Sequence, residues 1–156
     1  KAMLSSAAAT SEEDGWIEVE LTADTGACDT VMPRAMAQCI PIQPSLQSLS
    51  SMMYEVADGN EIPNLGERRC VMWTEGAIVG RKINLQVADV HKPLLSITAC
   101  SGMGYDCYLG TEGGSLRDRV TGVVIPLDCR GSRYSLRMWV RQDPGSNSNS
   151  SFAWPE

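Results

Sequence analysis

The chain has a single histidine and no Cys-x-x-Cys pair, although it contains six cysteines, at 28, 39, 70, 100, 107 and 129. A structural zinc site needs tightly spaced ligand pairs, so no metal site is expected. No secretory signal accompanies the cysteines, and the start Lys1-Ala2-Met3-Leu4 is too short for a signal-peptide core. Free, reduced thiols acting as small apolar residues are the simpler reading. No apolar run approaches the roughly 20 residues that cross a bilayer, so a soluble domain with no membrane partner is expected.

Positive charge is also scarce. Thirteen Lys and Arg stand against nineteen Asp and Glu, for a formal charge of -6. A nucleic-acid-binding surface normally declares itself as clustered basic residues, and that class is set aside. The pairs Arg68-Arg69 and Arg81-Lys82 read as solvated strand or turn positions. No Lys-Ser/Thr follows the glycines at 102, 104, 110, 113 and 114, which excludes a P-loop and leaves them as turn residues. No serine has a nucleophile-elbow context, so His91 is read as an exposed loop residue and not as part of a Ser-His-Asp arrangement.

What the chain does have is a strand that runs into a carboxylate. Ile17, Val19 and Leu21 alternate with Glu18, Glu20 and Thr22, the period of a half-buried strand, and the next residues are Asp24-Thr25-Gly26. Gly26 permits a tight turn or a close backbone approach, and Thr25 brings a hydroxyl. A local Asx turn would use the same residues.

Further on, Met53 to Thr74 holds two strand-like runs around Asp58-Gly59, a strong hairpin signal. Strands are also expected at Ile83–Val90, Leu94-Leu95, Tyr105–Leu109, Val123–Leu127 and Tyr134–Val140, with Gly-containing turns between them. Pro33–Cys39 could form a short helix with Pro33 in its first turn, and Ser96–Cys100 another with Ser96 as its cap. Residues 40 to 51, rich in Pro, Gln and Ser, read as a surface loop. The expectation is one mostly β domain with one or two short helices over residues 16–141, flanked by linkers at 1–15 and 142–156. In the second linker, Phe152-Ala153-Trp154 could serve as a cleavage or docking segment. Soft ends and a first residue Lys suggest a segment cut from a longer polyprotein.

Asp24-Thr25-Gly26-Ala27, followed by Asp29-Thr30-Val31, resembles the active-site signature of the retropepsin-like aspartic proteases of retroviruses and long-terminal-repeat retrotransposons. Tyr54–Gly66 looks like that family's flap hairpin, and Leu94-Leu95-Ser96 falls where the family has two apolar residues and a glycine. Order and spacing agree over roughly residues 16 to 140.

The resemblance implies an acid-protease (retropepsin-like) closed β-barrel, no cofactor, and an aspartic endopeptidase that processes a retroelement polyprotein. It would act inside the cell, in the cytoplasm or in virus-like particles. Asp24 would be the catalytic carboxylate and Thr25 a support across a dimer axis. Gly26 and Ala27 would contact the substrate backbone, Asp29 would bind it further out, and Asp58, Gly59 and Asn60 would form the flap tip.

Peptide hydrolysis by water needs both a proton acceptor and a proton donor, and two adjacent carboxyls that share a proton supply both. Only one Asp-Thr-Gly is present, with no second Asp-Ser/Thr-Gly, so the partner carboxylate must come from another copy in a two-fold homodimer. The peptide would lie extended between active-site floor and flaps. Two departures stand out: Ser96 in place of the family's glycine, and Ala23 where a larger apolar residue is common. Both are expected to loosen packing around the site, and they motivate an alternative, a catalytically inactive retropepsin-like dimerisation or peptide-binding domain.

Overall fold

The computed structural model describes residues 15–75 and 80–145. Eleven strands and two short helices follow one another: β1 (Ile17–Asp24), β2 (Val31–Met32), α1 (Leu46–Leu49), β3 (Met53–Glu55), β4 (Glu61–Pro63), β5 (Gly66–Thr74), β6 (Arg81–Val87), β7 (Leu94–Ser96), α2 (Ile97–Gly102), β8 (Tyr105–Gly110), β9 (Gly113–Asp118), β10 (Val124–Arg130) and β11 (Arg133–Gln142). Residues 1–14 and 146–156, which make up most of the segments expected as linkers at 1–15 and 142–156 and include Phe152-Ala153-Trp154, lie outside the described residues, as do residues 76–79.

Six strands close into a barrel in the order β1-β7-β2-β6-β5-β11, with β11 returning to β1. The closing pair is antiparallel and runs from Ile17 opposite Val140 to Thr22 opposite Ser135. Closure leaves these six strands without an unpaired edge of the kind that invites aggregation. Beyond β11, strands β10, β9 and β8 extend the sheet outward, while β3 and β4 form a separate two-stranded hairpin.

Alternation sets the inside of the barrel. Val19 and Leu21 of β1, Leu85 and Val87 of β6, and Leu136, Met138 and Val140 of β11 are each no more than 2% exposed, with Met32 and Leu95 beside them. Each fully buried side chain of this size contributes roughly 1.5–3 kcal/mol by leaving water. Glu20, on the opposite face of β1, instead accepts a hydrogen bond from Ser135 Oγ at 2.7 Å.

Four local readings need correction. Pro33–Cys39 forms successive turns and no helix: Met36 N–H donates to Pro33 C=O, Ile40 N–H to Ala37 C=O, and Ala37 has φ +55°. One carbonyl that a helix would use is taken by Arg68, whose Nη2 donates to Arg34 C=O at 2.9 Å, while its Nε donates to Ile40 C=O just beyond the segment at 2.8 Å. Arg68 is accordingly buried at 2% exposure, not solvated, because backbone oxygens replace its water. Within the loop expected at 40–51, helix α1 forms on a capping box: Ser48 N–H donates to Ser45 Oγ, and Ser45 N–H to Ser48 Oγ. Gly113 and Gly114 open strand β9 instead of lying in a turn, since β8 and β10 pair with that strand from both sides.

Other boundaries move less. β11 runs through Gln142, and Asp143 after it is still buried, with its N–H on Arg69 C=O and its carboxylate 3.7 Å from Lys82 Nζ. All six cysteines are free thiols, but only Cys70 and Cys100 are buried, while Cys28 and Cys39 are exposed. His91 is exposed.

Candidate active site

Asp24 is the last residue of β1, where the barrel strand gives way to a loop over residues 25–30. The loop is short and tightly held. Asp24 Oδ1 accepts the Gly26 N–H at 2.8 Å, and Asp24 C=O accepts the Ala27 N–H at 3.4 Å. A Cβ at Gly26 would stand 3.3 Å from that same carboxylate oxygen, a tight contact that would press on the Asp24 side chain by a few tenths of an ångström. The contact is an Asx turn, and it also fixes where the half-buried carboxylate points.

Strand β7 lies parallel to β1 and sets Ser96 opposite Asp24. Ser96 is fully buried. Its hydroxyl donates to Ala27 C=O at 2.7 Å and accepts the Ala99 N–H that caps α2, and its own N–H donates to Thr30 Oγ1 at 3.0 Å. Thr98 Oγ1 adds a second donor to Ala27 C=O at 3.3 Å. Loosened packing at Ser96 is therefore not what the chain has. The hydroxyl fills the position and ties the loop to the helix behind it, and Ser96 caps α2 as expected.

The remaining residues of the sequence signature distribute as follows. Thr25 and Gly26 are exposed at the loop tip, Ala27 is half-buried with its carbonyl engaged, and Asp29 is half-buried on the loop's far side. Asp58, Gly59 and Asn60 are exposed at the tip of the β3–β4 hairpin. Gly59 N–H closes a turn on Val56 C=O, and Gly59 then takes φ +88°, a left-handed conformation that glycine adopts without a steric penalty. Asp58 holds Asn60 twice, through its backbone N–H and its side-chain amide, each at 2.9 Å.

One link joins hairpin and loop. Tyr54, the middle residue of β3, donates its phenol O–H to Asp29 Oδ2 at 2.7 Å and accepts Asn64 Nδ2 at 2.8 Å. Burial first, and then the Asp29 carboxylate, push the Tyr54 phenol well above its ordinary range and keep it a donor. Burial and the Asp29 charge likewise raise the neighbouring Cys28 thiol, which opposes its ionisation. Neither Tyr54 nor Asn64 stood out as a functional residue in the sequence. The only signal was their place within the flap-like stretch.

Behind the loop lies an apolar cavity of about 460 Å³ whose walls include Thr30, Leu95, Met72 and Leu136, with Arg81 and Asp118 ion-paired at its rim. It is separate from the Asp24 carboxylate. Among the described residues, no group of three or more His, Cys, Asp or Glu could hold a metal ion.

Compared with family models, with curated proteins and with solved structures, the chain matches none. Its own residues carry whatever function is ascribed to it.

Proposed function

We propose that the chain is an aspartic endopeptidase of retropepsin-like type that works as a homodimer and processes a retroelement polyprotein. The observation that carries this reading is Asp24-Thr25-Gly26-Ala27 at the end of a barrel strand, with a constrained, half-buried Asp24 carboxylate and a hairpin tied to the same loop. Two such carboxylates meeting on a two-fold axis would make the acid–base pair. One takes a proton from water as the oxygen attacks the scissile carbonyl. The other gives a proton to the carbonyl oxygen, and the amine leaves with a proton when the resulting diol collapses.

In this reading Thr25, exposed at the loop tip, supports the loop across the axis, and Gly26 and Ala27 face the substrate backbone. Asp58, Gly59 and Asn60 close over an extended peptide. The setting would be the cytoplasm or a virus-like particle.

The test is cleavage of a peptide library by the wild-type chain and by Asp24→Asn. The substitution keeps the side-chain shape and the oxygen that receives the Gly26 N–H, so thermal unfolding is expected to stay the same while cleavage falls by at least about 10³-fold. Equal turnover in the two chains overturns the proposal. A wild-type chain that dimerises and binds peptides but cuts none at acidic or neutral pH is the silent peptide-binding domain instead.

A further inference from the structure

The β3–β4 hairpin has no ladder to the barrel, and its strands are three residues each. A two-stranded piece this short is marginal by itself in water. Something other than strand pairing must set its position. Among the described residues, the one hydrogen bond between hairpin residues 53–63 and loop residues 24–30 is Tyr54 to Asp29.

The far side of that bond is rigid. Asn64, at the hairpin's base and buried at 7% exposure, donates to Tyr54 Oη and to Gln86 Oε1 at 3.0 Å, and its Oδ1 accepts the Gly66 N–H at 2.8 Å and the Ser45 hydroxyl at 3.2 Å. Gln86 in turn donates to the buried Glu67 carboxylate at 3.1 Å and, through its backbone N–H, to Thr30 C=O at 3.0 Å. The Tyr54 hydroxyl is thus fixed from the barrel side by an amide and gives its single proton to the loop side.

We propose that the Tyr54–Asp29 hydrogen bond is a latch that seats the hairpin on the Asp24 loop, with Tyr54 as a positioning residue and Asp29 as its acceptor. This deepens the protease reading, and in that setting it rests on it. The latch holds the hairpin's first strand at a fixed height relative to the loop, so substrate meets a flap already placed. It also gives Asp29 a task within its own chain, since one of its carboxylate oxygens is committed to the phenol.

The experiment is amide hydrogen exchange on the full 156-residue chain without substrate, comparing wild type with Tyr54→Phe, Asp29→Ala, Asp29→Asn and the Tyr54→Phe/Asp29→Ala double variant. A hydrogen bond to a charged acceptor that is lost should speed exchange of residues 53–62 by about tenfold, with amides of β1, β6 and β11 unchanged. Asp29→Asn keeps an acceptor oxygen and should restore most of the protection. The double variant should exchange no faster than Tyr54→Phe alone, because the phenylalanine already removes the bond to Asp29 along with the one from Asn64.

Hairpin exchange equal to wild type in Tyr54→Phe, or effects of the two single variants that multiply in the double, overturns the latch. Because no cleavage is needed, the expected exchange pattern in a chain that cuts nothing supports the latch while the protease reading falls. In a chain that does cut, Tyr54→Phe should raise KM with kcat held within about twofold, and a loss confined to kcat contradicts a positioning role.

Discussion

The barrel and the β3–β4 hairpin are built by opposite means from neighbouring stretches of one chain. The barrel is closed by six paired strands and filled with side chains such as Leu21, Leu85 and Met138 that water does not reach. The hairpin alternates one half-buried residue with two exposed ones in each strand, and a side-chain hydrogen bond seats it against the loop. Burial of area makes a scaffold that resists local opening, whereas a few polar links make an element that can leave without unfolding the rest. The Asp24 loop lies between these regimes: it grows from a barrel strand and touches the hairpin through Asp29.

The largest separation should come from the barrel. Leu85→Ala deletes a fully buried side chain and should cost about 2–5 kcal/mol of global stability, measured by urea unfolding. Hairpin and barrel amides would then lose protection together only at the global opening. A loss under about 1 kcal/mol would mean the barrel is not the cooperative unit.

Ser96→Ala probes the loop. It removes the α2 cap and one of the two hydroxyls on Ala27 C=O, and should cost about 1–2 kcal/mol in the same assay. An unchanged midpoint would mean that the buried hydroxyl is dispensable and the departure from glycine neutral.

Gly59→Ala acts further out. At φ +88° an added Cβ is strained by about 1 kcal/mol, and because the turn sits at the hairpin tip the cost should appear as faster exchange of hairpin amides, with little change in the global midpoint. A full shift of the global transition would contradict the hairpin's independence.

The smallest effect is silent at neutral pH. Burial pushes the Cys70 thiol from its ordinary 9.0 to about 12, so the unfolded chain loses that proton first as pH rises. The contribution of Cys70 is intact below pH 9 and is lost progressively towards pH 12. Cys70→Ala should flatten the alkaline fall in stability seen by pH-dependent unfolding, and an unchanged slope would assign that fall elsewhere.

The barrel strands were legible because alternation and burial agree: Val19 and Leu21 in β1, and Leu136, Met138 and Val140 in β11, are apolar where the pleat turns inward. The hairpin was legible through Asp58-Gly59, and the α2 cap through Ser96. What escaped depends on distant partners. Arg68 looks like a surface cation in the sequence, but the fold brings the carbonyls of Arg34 and Ile40 to it, and the bond to Arg34 C=O competes with the one a helix over Pro33–Cys39 would make there. Helix α1 carried a readable Ser45-x-x-Ser48 box inside a composition that otherwise suggests a loop. Strand β9 has one large apolar residue, Leu116, and owes its existence to neighbours on both sides.

At the site itself, Asp24 and its turn could be read locally, but the Tyr54–Asp29 link joins positions separated by 25 residues and has no sequence signature. In the proposed reading the feature that matters most is a second carboxylate, which a second copy of the chain would supply because the sequence holds one Asp-Thr-Gly.

That claim is tested most directly by the specific activity of the wild-type chain on a peptide substrate across a wide dilution series. The account predicts that activity per chain falls in proportion to concentration once the protein is diluted below its dimer dissociation constant. Activity per chain that stays constant to the lowest measurable concentration, with sedimentation showing monomers there, would contradict it.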